Sequence, residues 1–288
     1  MTKEDIPMKK ILALALACLM VLCAFTATAE EAVKLGQVQY AAHGAQSFAV
    51  ITVAVQGDKI AAAWIDEFQV MSGEGVVGVP NSDAAFGANI VGYEDGKVLG
   101  SKRVNNTYYS GNMATKGGAT QELLVSWQAI EAFVAGKTIA ELELYAADKA
   151  EAAGVDVISG ATLADTMGYL KGIIAAANVA ANIQTGHYTV YNQTGETVKE
   201  LYIAHNATGE KGENLVGDGL ANGESKLVLK SIPADADGSH ALTFTYVTES
   251  GRTAEFTTLS IEDVPMTLLS ADAMTGATPL NFFAPKAE

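Results

Sequence analysis

Apolar positions along this chain repeat at three periods, and each period predicts a different kind of element. Residues 11–25 form an unbroken apolar run behind Lys9 and Lys10, followed by Ala27-Thr28-Ala29 and then Glu30-Glu31. Basic residues, an apolar run and a small-x-small site in that order predict a secretory signal ending at residue 29, and the run is short for a membrane span. Residues 48–55 are rich in β-branched side chains, 56–59 carry a turn signal, and 60–70 resume the strand pattern with Trp64, Ile65 and Phe68, which predicts a hairpin. Residues 93–99 predict another tight turn. The Gly-, Asn- and Ser-rich stretches 71–92 and 100–119 predict loops or short strands.

A helical period then takes over. Leu123, Leu124, Trp127, Ile130, Phe133 and Val134 share one face, and Gly136 stops the run. Thr138 and Glu141 form a capping-box pattern opening a second helix that extends to about residue 153, before Gly154. A third helix begins just after Thr162, with Leu163, Met167, Leu170, Ile174, Ala177 and Ala181 on the face predicted to meet the sheet. Past Gln184-Thr185-Gly186 the helical period disappears. Short strand patterns at 188–191, 201–204, 226–229, 242–247 and 254–259 alternate with turns and predict a small antiparallel β-sandwich. The fold class read from this pattern is α+β. A signal peptide (1–29) precedes an antiparallel sheet with packed helices (30–184), then an all-β sandwich with a C-terminal tail (186–288).

Charge and cysteine content narrow the function. The whole chain has 18 basic and 33 acidic residues; removing Lys3, Lys9, Lys10, Glu4 and Asp5 with the signal moves the formal charge from −15 to −16. With no Lys/Arg cluster, such a chain is a poor match for nucleic acid or anionic lipid. Both cysteines, Cys18 and Cys23, lie inside the signal. The mature chain is therefore expected to lack disulfides, thiolate catalysis and cysteine-bound metal, so any redox chemistry must come from a bound cofactor. His43, His187, His205 and His240 stand at no metal spacing, and no catalytic acid, base or nucleophile set emerges from spacing. Gly73-Glu74-Gly75-Val76-Val77-Gly78 matches a dinucleotide fingerprint by letters but lacks the strand–turn–helix context. Asp235-Ala236-Asp237-Gly238 lacks the later acidic ligand of a calcium loop and reads as a surface turn.

Two heptapeptides carry the chemistry. Asp156-Val157-Ile158-Ser159-Gly160-Ala161-Thr162 and Asp272-Ala273-Met274-Thr275-Gly276-Ala277-Thr278 both read Asp-x-x-(Ser/Thr)-Gly-Ala-Thr. Thr162 supplies a hydroxyl, Gly160 permits close approach, and Ala161 keeps the neighbourhood small. The opening of the third helix would offer backbone N–H groups to a phosphate. The bland alternative is that Ser159 or Thr162 caps that helix with Asp165 completing a box.

The first heptapeptide, with the Gly57-x-Lys59-Ile60 hairpin and the stretch 127–138, resembles the FMN-binding domain family of bacterial membrane and extracellular electron-transfer proteins, over roughly residues 33–182. In that family a flavin transferase takes FMN from FAD and joins its phosphate to the hydroxyl of the last motif Thr. The resemblance implies covalent threonyl-FMN at Thr162, with Asp156, Ser159, Gly160 and Ala161 around it. It also implies a flavin transferase and a membrane electron donor as partners. Tyr169, seven residues on, could stack on the flavin or belong to the core; Trp127 and Phe133 read as core. The second heptapeptide nominates Thr278 as a further attachment point, with Asp272, Thr275, Gly276 and Ala277. The alternative is a tail folded back on the first half of the chain, anchored by Phe282 and Phe283, to complete its pocket. Residues 191–195 and 200–203 look like Ig-like accessory modules of bacterial surface proteins. The resulting expectation is an exported flavoprotein electron carrier whose mature chain does not span a membrane. A flavin-dependent reductase and a surface adhesion protein are the rivals.

Overall fold

Phe48 faces Phe68 across the first hairpin, and their rings stack at 5.6 Å. The hairpin joins β2 (Ser47–Gln56) to β3 (Lys59–Ser72) through the two-residue turn Gly57-Asp58, where Gly57 adopts φ 63°. With β1 (Val33–Tyr40) and β4 (Lys97–Ser101) these strands form one sheet in the order β1-β2-β3-β4. The computed structural model describes residues 31–72, 74–79, 97–149, 157–234, 241–276 and 278–286. The predicted signal at 1–29, the predicted turns at 93–96 and Asp235, and His240, Asp156, Ala277 and Gly73 lie outside them.

Four helices follow among the described residues: α1 (Asn106–Gly117), α2 (Leu123–Val134), α3 (Ile139–Asp148) and α4 (Thr166–Ala181). The α2 boundaries match its apolar stripe, and α3 opens on the full Thr138–Glu141 capping box. By contrast, α1 occupies residues expected to be loop or short strand. Its Asn, Ser, Gly and Thr residues mask the helical period, but Tyr109 and Met113, one turn apart, pack on the core, and Gly118 closes the C-terminus in a left-handed conformation.

Helix α4 lies along the sheet at backbone contact. A Cβ on Gly36 of β1 would meet the Ala176 carbonyl oxygen at 2.0 Å, and one on Gly172 would meet Ile51 Cδ1 at 2.4 Å. Only glycine allows that approach.

The chain then passes into strands with Asn182 as the single intervening residue, at φ 58°. Gln184-Thr185-Gly186, expected to be a boundary, lies inside β5 (Ile183–Gln193). Together with β5, strands β6 (Val198–His205), β7 (Ser225–Pro233), β8 (Leu242–Thr248) and β9 (Thr253–Leu259) extend the five predicted segments at one or both ends. Two further strands, β10 (Asp263–Leu269) and β11 (Leu280–Asn281), were not legible, since Pro265 interrupts the β10 pattern and β11 is two residues long. One sheet runs β11-β10-β5-β7 and another β6-β8-β9. The β5–β10 pairing is parallel, where an all-antiparallel arrangement was expected.

The whole is a mixed α+β fold. Within the compact unit Lys34–Glu288 there are two apolar cores, one built from Ala42 to Ala180 around Trp127, Ile51 and Leu170, the other from Tyr188 to Leu280 around Tyr246 and Phe244. No helix among the described residues is long and apolar enough to cross a membrane.

Candidate functional site

Residues 157–162 of the first heptapeptide form a loop whose side chains divide between core and surface. Val157, Ile158, Ala161 and Leu163 are buried, whereas Ser159 and Thr162 are exposed. The Ala161 N–H donates to the Ile158 carbonyl at 3.0 Å, closing a tight turn that places Gly160 at φ 86°. That conformation strains any side-chain-bearing residue, which accounts for the glycine. Three neighbours hold the loop from outside. Gln121 Nε2 donates to the Gly160 carbonyl (2.7 Å) and to Ser126 Oγ (2.8 Å), and Tyr145 Oη donates to the Val157 carbonyl. Ser126 Oγ in turn accepts from the Thr162 N–H at 3.3 Å.

Helix α4 begins four residues beyond Thr162, not directly after it. Its N-cap is Asp165, with no capping hydrogen bond from that side chain. Neither Ser159 nor Thr162 caps the helix, so the capping-box alternative does not apply. The Asp165 carboxylate pairs instead with His43 Nδ1 at 2.5 Å.

Thr162 stands on the wall of a cavity of about 600 Å³, with His43, Lys102, Tyr109, Met113, Leu123, Leu163, Asp165 and Tyr169 among its lining. That volume lies within the usual range for organic ligands. Tyr169 belongs to the first core, where it packs edge-on against Trp127 at 5.6 Å, and it also lines the cavity. Trp127 is fully buried, and Phe133 packs on the same core from a partly buried position.

A buried charged network adjoins the cavity, with Lys102 and Tyr169 in its lining. Glu67 on β3 accepts from Ser47 Oγ (2.6 Å), Lys102 Nζ (2.8 Å) and Tyr169 Oη (2.6 Å). Glu67 is 0% exposed and Lys102 1%. Burial pushes the Glu67 carboxyl up, but the Lys102 charge and the three hydrogen bonds outweigh it, and the pKa falls below its ordinary value. Burial first, and the Glu67 charge second, push the Tyr169 phenol far above its ordinary value, so it remains a donor. None of Ser47, Glu67, Lys102 and Tyr109 stands out in the sequence. The one available signal was Glu67, a carboxylate on the inward-facing register of a strand between Ile65 and Gln69.

The second heptapeptide is built differently. It connects β10 to β11, with Leu269 N–H donating to the Pro279 carbonyl at 2.9 Å. Its turn spans 275–278, closed by Thr278 N–H to the Thr275 carbonyl (3.2 Å) with Gly276 at φ 63°. The first motif's turn spans 158–161, so its glycine occupies the third turn position, whereas Gly276 occupies the second. Asp272, Thr275 and Thr278 are exposed. Hydrogen bonding from Ser270 holds the Asp272 carboxyl below its ordinary range. None of the described residues between 272 and 283 lines the cavity at Thr162. The tail packs on the β-rich half instead: Leu280 is in the second core and Phe282 meets Phe256 at 5.7 Å. The folded-back tail is thereby corrected; pairing of β11 with β10 decides it.

Of the remaining candidates, Val77 is clamped by Asn105, whose Oδ1 accepts from its N–H (2.7 Å), in a loop and not at a helix start. Among the described residues no group of three or more His, Cys, Asp or Glu side chains is arranged to hold a metal.

No protein-family model and no curated protein matches this chain. Among solved structures, a protein from Eubacterium rectale determined by NMR aligns at 21% identity over 36% of this chain and 92% of its own, with a TM-score of 0.23. A disulfide-locked mutant of intermedilysin with human CD59 aligns at 9% identity over 91% of this chain and 70% of its own, with a TM-score of 0.19. Both scores are too low to indicate a shared fold.

Proposed function

We propose that this protein is an exported flavoprotein electron carrier with FMN joined covalently to Thr162. The observation that carries the reading is the position of the Thr162 hydroxyl. It is exposed, has no capping duty, and stands on the wall of a cavity sized for an organic cofactor. The residues present suit FMN. Tyr109, Tyr169, Met113, Leu123 and Leu163 offer aromatic and apolar surface for a flat ring system, and Gly117 and Gly118 keep one side of the cavity free of side chains.

Attachment forms a bond from Thr162 Oγ1 to the FMN phosphorus, breaks the pyrophosphate of FAD, releases AMP and gives up the hydroxyl proton. A flavin transferase is the modifying partner. FMN supplies reversible one- and two-electron transfer when bound. Ser126 and Gln121 hold the attachment loop in place, and Met113, Leu123 and Leu163 keep water from the ring. Tyr169, fixed by its bond to Glu67, presents a rigid aromatic surface. The tether prevents loss of cofactor outside the cell and keeps its local concentration high.

In this reading residues 1–29 are a secretory signal, residues 30–184 an FMN-binding domain and residues 186–288 a sandwich accessory domain. The electron source is a membrane donor and the acceptor is extracytoplasmic. The test is co-expression with a flavin transferase followed by intact-mass and peptide mass measurement. FMN mass on the peptide carrying Thr162 is the expected result; an unmodified chain that also shows no flavin absorbance after denaturation overturns the proposal.

A further inference from the structure

The Glu67–Lys102 pair has no counterpart in the attachment chemistry. Its Glu67 member also accepts from Ser47 on β2 and Tyr169 on α4. Removing two charges from water is costly, and an apolar pair of the same volume would serve the fold as well or better. The geometry around Lys102 shows where the ammonium still has capacity. An ammonium has three N–H donors. One goes to Glu67, the Tyr109 ring lies 4.4 Å from Nζ, and no other acceptor among the described residues takes the rest. Lys102 also lines the cavity on whose wall Thr162 stands. A buried cation with spare donors on a ligand cavity is a recognition element for an electron-rich acceptor.

We infer that Lys102 donates to the carbonyl-bearing edge of the isoalloxazine and sets its redox balance. The inference rests on the FMN reading above. Reduction by two electrons with uptake of one solvent proton leaves one negative charge on the ring system; no bond to the protein forms or breaks. The oxidised ring is neutral. A fixed positive charge beside it therefore stabilises the reduced form more than the oxidised form and raises the potential. Glu67 positions Lys102 and limits the field of its charge. Tyr169 and Ser47 both donate to Glu67, which fixes the carboxylate that holds the Lys102 ammonium beside Tyr109, another lining residue of the cavity.

The test is spectroelectrochemical titration of the flavin-loaded protein, with dithionite as reductant, in the wild type and in two charge-neutral pairs, Lys102→Met/Glu67→Gln and Lys102→Gln/Glu67→Gln. Neutral pairs avoid leaving Glu67 buried without a partner. Each pair is expected to lose about tenfold in preference for the reduced form, a fall of about 30 mV for a two-electron couple. Ser47→Ala disturbs the same network without changing charge and is expected to move that preference by less than about twofold. Peptide mass spectrometry is run on every sample. Flavin on the Thr162 peptide with unchanged potential in both pairs, or an equal shift in Ser47→Ala, overturns the role of Lys102 and leaves the carrier reading standing. No flavin on the wild-type peptide overturns both. Failure of both pairs to fold, seen as loss of a cooperative melt, assigns the ion pair to the fold and also overturns the inference.

Discussion

The Thr162 N–H donates to Ser126 Oγ at 3.3 Å, while the two side-chain oxygens stand 3.5 Å apart. The shorter bond is to the backbone, and the Thr162 hydroxyl meets the Ser126 hydroxyl only in a long hydrogen bond. Ser126 is fully buried on α2, and the loop that bears Thr162 is thereby registered against a helix of the first core.

Removing the hydroxyl separates attachment from folding. Thr162→Ala is expected to abolish covalent flavin while changing stability by less than about 0.5 kcal/mol, because the side chain is exposed and caps nothing. Ser126→Ala is expected to cost about 1–2 kcal/mol through lost hydrogen bonds and to lower the fraction of flavinylated chains. Intact mass and a urea titration measure both; equal flavin in wild type and Thr162→Ala rejects the site.

Flavin stoichiometry tests the second motif. Its turn differs in register from the first, and its residues do not line the Thr162 cavity. One flavin per chain is therefore expected, unchanged in Thr278→Ala. A value near two that falls to one in that variant would establish Thr278 as a second attachment point.

The contact between α4 and the sheet leaves no room at Gly36, where a Cβ would meet the Ala176 carbonyl oxygen at 2.0 Å. Gly36→Ala should force backbone apart from backbone and destabilise by about 1–3 kcal/mol. A lower urea midpoint at unchanged slope is the expected observation; an unchanged midpoint would mean that β1 shifts freely.

His187 makes stability depend on alkaline pH. Its Nε2 meets Glu143 on α3 at 2.8 Å and its Nδ1 meets Asp263 on β10 at 2.7 Å. The Glu143 hydrogen bond is the largest influence; burial opposes it, the Asp263 bond and both charges add to it, and the pKa rises to about 9. The folded chain holds this proton more tightly than the unfolded chain, whose imidazole titrates near about 6.5. The contribution is thus complete below about pH 6.5 and lost as pH climbs through about 9, on the order of 1–2 kcal/mol after screening. Urea midpoints between those pH values should fall in the wild type and fall less in His187→Gln.

What the linear chain determined by itself was local. The hairpin turn at Gly57-Asp58, the α2 stripe ending before Gly136 and the Thr138–Glu141 box depend on residues within a few positions of one another, so their signals survive without tertiary context. The same holds for the tight turn around Gly160, a conformation that glycine alone adopts freely. Tertiary structure decided the rest. Helix α1 exists because Tyr109 and Met113 find the core; β10 lies parallel to β5, more than seventy positions away in the chain, and β11 is held only by pairing with β10. The cavity belongs to this second group. Lys102, Glu67 and Tyr169 are up to 102 positions apart, and no spacing rule links a strand, a turn and a helix that meet only after the sheet is covered. Motif letters are equally blind to surroundings: Thr162 and Thr278 end matching heptapeptides, yet only Thr162 lines the cavity, because a local sequence encodes a turn while the space beside it comes from distant elements packing together.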